Sequence, residues 1–357
     1  MQKRKIAVLY GDGVGPEVVE VACHIMEEAD FSLDLVRMPN GEAALEEYGT
    51  VLPDETKKQC EASDAVLFGS ANPASDPIIM YLRWGMGNFV NVRPTKYLPG
   101  ANSPLKDPDG IDFIILRENS EGMYTYAEGD LAVLQERLPE LRTRHGKSLA
   151  DYGKGNFALR IMTETGMKRF ARYACEFTRD RKSRGYPGNL TVVTKSNMFP
   201  TTCGMLEAAV QEEIKNYPEL TYRRYYVDDM ARRLVRFPKD FDVVATSNLF
   251  GDILTDEAAE IAGGLGMAGS GCVGGKVPYF ESVHGTAPDI AGKNIVNPTA
   301  AILSAKYMLD YLDMRQEADS LENALVAVYR EGKALTVDQG GSATTIEFAE
   351  AVLEKIR

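Results

Sequence analysis

Histidine is scarce in this chain: three occur among 357 residues, and none lies within ligand spacing of another. A zinc centre built on imidazole is therefore not expected. The five cysteines (Cys23, Cys60, Cys175, Cys203 and Cys272) form no CxxC pair. They read as reduced, mostly packed thiols rather than a disulfide framework. Basic charge is in deficit too, with 40 Lys and Arg against 52 Asp and Glu for a net charge of −12. That sign argues against nucleic acid as a partner, although local arginines can still hold an anionic substrate. No apolar run approaches a membrane span, and MQKRKIAVLYGDG enters a strand with no leader segment. A cytoplasmic protein without a membrane partner is expected. The dinucleotide fingerprint is missing as well. Gly11, Gly13 and Gly15 fall at G-x-G-x-G, and Pro16 with Glu17 occupy the place where a pyrophosphate would approach, so a Rossmann turn is excluded.

What is present is an alternation of buried strands and amphipathic helices, without repeats or low-complexity linkers, long enough for two domains or one large α/β unit. The alternation implies a largely parallel sheet. In NLFGDILTDEA, Asp252 and Asp256 sit four residues apart, which on a helix sets both carboxylates on one face. The strand-like FDVVATSNLF runs into them, placing the pair at a strand's carboxyl end, where α/β proteins gather their sites. Two hard anions side by side suit Mg²⁺ or Mn²⁺. Arg83, Arg93 and Arg117 each lie near the end of an apolar segment and suggest capture of carboxylates or phosphates. Another buried strand, NLTVVTKSNMFP, delivers Lys195 at its end, and Asp228 and Asp229 follow a further one. Residues 127–156 are polar with weak periodicity and read as a surface excursion or an arm used in oligomer contacts. His145 inside them is expected to be solvated.

The segments GDGVGPE, LR…NVRP, LRENSEGMY, TKSN, VDDM, NLFGDILTDEA and HGTAPDIAGKNIVNPTAAILSA, in this order, resemble the metal-dependent β-decarboxylating dehydrogenases: the isocitrate, 3-isopropylmalate and tartrate/D-malate dehydrogenase family. The resemblance covers nearly the whole chain. It implies an α/β fold of two discontinuous domains with the active-site cleft between them. The larger, cofactor-binding domain would comprise 1–95 plus 262–357, and the smaller, metal-binding and dimerising domain 96–261.

The resemblance also implies roles. Arg83, Arg93 and Arg117 would hold the carboxylates of a small dicarboxylic 2-hydroxy acid. Tyr124 would protonate the enol left after CO₂ departs, and Lys195 would assist loss of the C2 hydroxyl proton. Asp252, Asp256 and Asp228 of a second subunit would ligate Mg²⁺ or Mn²⁺, so a homodimer with shared active sites is implied. Asp229 would be a surface or capping acid. NAD would be bound by Asp76, Asn197, Glu281, His284, Gly285, Thr286, Ala287, Asp289 and Asn297. NAD rather than NADP is implied because Asp289 and Ile290 stand where NADP-using relatives carry Lys–Tyr.

Pro77 and Ile79 replace the Ser and Asn of isocitrate enzymes, which disfavours a third carboxylate. Ile79, Met80 and Met198 then imply an apolar pocket for a C3 alkyl group, as on 3-isopropylmalate. Tartrate or D-malate is the alternative, since GIDF and RENSEG look more like that branch; isocitrate and homoisocitrate follow. WGMGNF after Arg83 departs from the charged helical residues usual there, and Gly85 and Gly87 should loosen that helix. A silent regulatory subunit is the non-enzymatic alternative, but it would be expected to lack a metal ligand, the lysine or the tyrosine. A zinc-dependent relative would need histidine ligands this chain lacks.

Overall fold

A computed structural model describes residues 3–357. In chain order its strands are β1 (Arg4–Gly11), β2 (Leu33–Arg37), β3 (Ala65–Ser70), β4 (Val90–Lys96), β5 (Asp112–Glu118), β6 (Glu128–Asp130), β7 (Asn156–Ala158), β8 (Asn189–Thr194), β9 (Thr221–Tyr226), β10 (Val243–Thr246), β11 (Gly269–Val273) and β12 (Tyr279–Ser282). Ten of them form one sheet in the order β2-β1-β3-β12-β11-β4-β5-β10-β8-β9. Both ends of this sheet are parallel, as the alternation of strands and helices predicts. The middle is not: β11 runs antiparallel to β12 and β4, and β4 antiparallel to β5. The limit expected at 95/96 falls inside β4 and that at 261/262 at the end of helix Asn248–Ala262, and the one sheet takes strands from both expected domains.

Several strands are completely buried. AVLFGS in β3 and NLTVVT in β8 are buried at every residue, as befits strands covered on both faces. Helix Gly15–Glu28 opens with Pro16 in its first turn, where no backbone donor is lost, and buries Val18, Val19, Ala22, Ile25 and Met26 against the sheet. Helix Glu164–Ser183 is capped by Thr163 and finishes on Arg181 and Lys182, matching its dipole. All five cysteines are free and buried, and His145 is exposed. Among the described residues no helix is long and apolar enough to cross a membrane.

Residues 127–156 have more structure than their pattern suggests. The hairpin of β6 and β7 brackets a short helix, Leu131–Arg137, that buries none of its residues. Periodicity is weak there because the helix is short and only Leu131, Leu134 and Gln135 are half-buried, against residues 149–155.

Candidate active site

Arg117 closes the first half of the site. It lies on β5, directly beside Thr246 of β10, and helix Asn248–Ala262 begins just beyond β10. This brings the arginine across the helix's first turn. Gly251 makes the crossing possible, because a Cβ there would sit 2.6 Å from the Arg117 Cγ. The Arg117 Nε–H donates to Asn248 Oδ1 at 2.9 Å, and its guanidinium pairs with the Asp252 carboxylate. The same carboxylate accepts the Tyr124 hydroxyl, while the Arg117 guanidinium lies 5.1 Å from the Tyr124 ring centre. Burial and the Asp252 anion raise the phenol above its ordinary value, so Tyr124 keeps its proton and remains a donor.

Asp256 stands one turn on. Burial and the charge of Asp252 push its carboxyl up, while Arg93 and Arg117 hold it down. An all-oxygen pair with unfavourable negative charge fits a hard divalent cation. Among the described residues no three His, Cys, Asp or Glu side chains gather at one point. The third expected ligand, Asp228, pairs instead with the Lys195 ammonium, which holds its carboxyl below the ordinary aspartate range. Asp229 pairs with Arg232 and Arg233 on its own helix, a surface role.

Arg93 lies on β4, and its Nε–H donates to Asn91 Oδ1 at 2.8 Å. Arg83 lies in a π-helical turn, Tyr81–Gly85, where Met86 N–H donates to Tyr81 O at 2.8 Å and Asn88 N–H to Arg83 O at 2.7 Å. The loosening expected from Gly85 and Gly87 takes this form. The Arg83 guanidinium is 3.5 Å from the Tyr279 hydroxyl and 4.0 Å from Glu281. Glu281 is buried beneath it, which raises its carboxyl despite the arginines. Burial, Arg93 and Arg83 pull the Arg117 guanidinium below its ordinary value. Arginines that repel one another, with Asp252 the one carboxylate in direct contact with Arg117, suit a further anion.

The glycine turn after β1 does not cradle phosphate. Val14 N–H donates to Thr286 O at 2.9 Å, and a Cβ on Gly13, which has φ +60°, would fall 2.1 Å from that oxygen. The turn is a seat for the HGTAPD loop. On that loop Gly285, Ala287 and Asp289 are exposed, and Ala287 holds a left-handed φ of 37°. Such strain in a non-glycine residue is concentrated at ligand clamps. The His284 Nδ1 meets Gly285 O at 3.0 Å, and its Nε2 is buried with no partner. An orphaned ring nitrogen beside exposed loop backbone fits a nucleotide. Asn297 is placed differently: its amide donates to the Tyr329 hydroxyl at 3.1 Å and to Asp338 at 2.9 Å, and its oxygen accepts Thr299 N–H. Its side chain is committed to the interior, leaving only its backbone for a cofactor.

Asp76 and Asn197 are exposed. Ile79 packs on the core beside β3, while Met80 and Met198 are 40% and 60% exposed on separate elements. The apolar pocket is thus open within one chain. Sequence reasoning missed Asn91, Asn248 and Asp12. Asn91 and Arg93 share one strand face, a period-two signal that was available. Asp12 accepts Glu42 N–H at 2.8 Å and Asn72 N–H at 3.1 Å, tying together three loops at the strand ends. A cavity of about 850 Å³ lies on the opposite face of the same middle strands, lined by Val92, Pro94, Lys96, Asp112, Ile114 and others. By strand alternation it is separate from the side bearing Arg93 and Arg117.

Residues 5–352 match the isocitrate/isopropylmalate dehydrogenase family. The 3-isopropylmalate dehydrogenase of Archaeoglobus fulgidus is 40% identical over 98% of both chains. The 3-isopropylmalate/3-methylmalate dehydrogenase of Methanocaldococcus jannaschii is 38% identical over 99% of both. The crystal structure of isocitrate dehydrogenase from Methylococcus capsulatus superposes with a TM-score of 0.86 at 31% identity, covering 99% of each chain. Sequence, fold and the clustered arginines and aspartates agree: the chain belongs to the isocitrate/isopropylmalate dehydrogenase family and is an oxidoreductase of that type.

Proposed function

We propose that the protein oxidatively decarboxylates a (2R)-malate carrying an alkyl group at C3, with 3-isopropylmalate as the substrate it fits best, using NAD and Mg²⁺ or Mn²⁺. The observation that carries this reading is the cluster of Arg83, Arg93 and Arg117 around Asp252 and Tyr124, with no further cation or amide where Pro77 and Ile79 stand. The arginines hold two carboxylates. Lys195 of a second subunit would take the C2 hydroxyl proton, and bound NAD would supply the hydride acceptor. Asp252 and Asp256, with Asp228 of that second subunit, would hold the cation, which supplies Lewis acidity toward the C2 oxygen during loss of CO₂. Tyr124, kept protonated by Asp252, gives its proton to the enol carbon. On the cofactor side, the HGTAPD backbone and His284 take the adenine end and Asp289 the ribose hydroxyls. A 2′-phosphate would meet like charge there, so NAD is preferred.

Lys195 and Asp228 pair with each other rather than with Asp252, which supports a homodimer with shared sites. The two parallel ends of the sheet support a larger domain of 1–95 plus 262–357 and a smaller one of 96–261, in a cytoplasmic enzyme. NADH formation with Mn²⁺ against 3-isopropylmalate, D-malate, tartrate, isocitrate and homoisocitrate tests the reading. Preference for 3-isopropylmalate supports it; preference for isocitrate or a substrate without a C3 alkyl group overturns it. An alkyl pocket discriminates by only about 1–3 kcal/mol per methylene, so smaller 3-alkyl malates should also turn over.

A further inference from the structure

The chain's single tryptophan, Trp84, follows Arg83 in the π-helical turn. Its indole N–H donates to the backbone carbonyl of Asn119 at 3.1 Å. Its ring meets the edge of Tyr126, with centres 5.9 Å apart at 83°. Asn119 and Tyr126 flank Tyr124 on either side. Asn119 is immobilised: it is fully buried, its N–H donates to Phe89 O at 2.8 Å, and its amide reaches Cys272 Sγ at 3.5 Å. Tyr126 is the opposite case. It is 64% exposed and holds a left-handed φ of 53°, a conformation a bulky residue keeps only when a contact holds it there. Among the described aromatic pairs, its partner is Trp84.

We propose that Trp84 is a positioning residue: it staples the Tyr124-bearing loop to the Arg83-bearing turn, so that capture of a carboxylate by Arg83 and presentation of the Tyr124 hydroxyl are mechanically linked. The proposal rests on the roles given above to Arg83 and Tyr124. Arg83 lies 5.9 Å from the indole centre but has further anchors in Tyr279 and Glu281. Tyr124 is tied at its hydroxyl to Asp252 and at its ring to Arg117, while its loop relies on Trp84 through Asn119 and Tyr126. Loss of the indole therefore falls mainly on the proton donor.

Trp84→Ala should therefore lower kcat on 3-isopropylmalate about tenfold, with KM changed less than about twofold and a larger solvent deuterium effect on kcat. Trp84→Phe keeps a ring for Tyr126 but loses the N–H, and should recover part of the loss. If the alanine variant does not fold, the phenylalanine variant and Tyr126→Leu carry the test. Unchanged kcat and isotope effect in variants with only a lowered melting temperature overturn the proposal, as does a rise in KM alone. A second readout needs no turnover. Intrinsic tryptophan emission reports Trp84 alone, so it should change when 3-isopropylmalate with Mg²⁺ binds, and the change should shrink in Tyr126→Leu. Constant emission at a ligand concentration that raises the melting temperature overturns the staple. Absence of turnover and of any ligand-induced shift in the wild-type protein would instead overturn the substrate reading.

Discussion

Asp252 and Asp256 are expected to behave differently when each is replaced by asparagine, although both are assigned to one cation. Asp252 is the partner of Arg117, a side chain only 2% exposed, and of the Tyr124 hydroxyl. Removing one member of a fully buried pair costs about 3–5 kcal/mol. The Asp252 carboxylate is itself 40% exposed, so water offsets part of that, and a cost of about 1–3 kcal/mol is expected. Asp256 has no such partner. Its asparagine variant loses attraction to Arg93 and relief of like-charge repulsion at i,i+4 offsets it, each worth about 0.2–0.5 kcal/mol, so the net change is near zero. For 357 residues, unfolding entropy corresponds to about 0.75 kcal/mol per degree. In EDTA, Asp252→Asn should then melt about 1–4 °C below wild type and Asp256→Asn within about 1 °C of it. Mg²⁺ at a hundred times its dissociation constant adds about 2.7 kcal/mol, or about 3–4 °C, to wild type. Neither variant should show that rise, and neither should turn over. Scanning calorimetry with and without Mg²⁺ checks both arms. An Asp256→Asn protein that retains the Mg²⁺-induced rise, or melts several degrees lower in EDTA, would refute the reasoning.

Two further outcomes follow from the same geometry. If each site takes Lys195 from one subunit and Asp252 from the other, inactive Lys195→Met and inactive Asp252→Asn proteins, unfolded and refolded together, should regain about a quarter of wild-type activity, because half the dimers are mixed and each has one intact site. No recovery, with mixed dimers demonstrated by mass spectrometry, sinks the shared site. His284 titrates in the other direction from a salt-bridged histidine. Burial lowers its folded value below 6.5, so the unfolded chain takes up the proton first and stability is lost as pH falls below about 6.5. The difference in urea midpoint between wild type and His284→Asn should shift against wild type from pH 8 to 5.5; the opposite drift would show the ring is charged in the fold.

The aspartate pair and the lysine were legible because each signal is local. Asp252 and Asp256 need only a helix, and Lys195 needs only a strand that ends. The HGTAPD loop was legible through resemblance, not through its physics: nothing in the sequence shows that Gly13 carries no side chain because Thr286 O is 2.1 Å from where a Cβ would stand. Gly251 is the same kind of case. Inside a helix it reads as a defect worth about 1 kcal/mol, and its reason lies on a strand 134 positions earlier, where Arg117 crosses it. The π turn at Tyr81–Gly85 was legible only as weakness, because glycine content predicts loosening but not the i→i−5 bonds that result. Asn297 shows the converse: its place in a motif suggested a ligand contact, and its amide is consumed by Tyr329 and Asp338.

What no local pattern could supply is the register that sets Arg93 and Arg117 side by side. β4 and β5 are antiparallel with Asn91 opposite Arg117 and Arg93 opposite Ile115. Arg93 and Arg117 are thus diagonal neighbours on one face, close enough for Arg93 to add to burial in depressing the basicity of Arg117. A parallel pairing there, which the alternation of strands and helices led one to expect, would have needed a crossover and a different alignment of the two strands. The antiparallel middle of the sheet is therefore where the proposed site takes two of its arginines. A one-residue slip between β4 and β5 would turn one arginine into the cavity on the far side while leaving every helix and both parallel ends intact. The register is held by side chains on that far face, where Lys96 stands directly opposite Asp112, at 3.8 Å, and also pairs with Glu322. The ion pairs behind the sheet thus help to fix which residues stand in front of it.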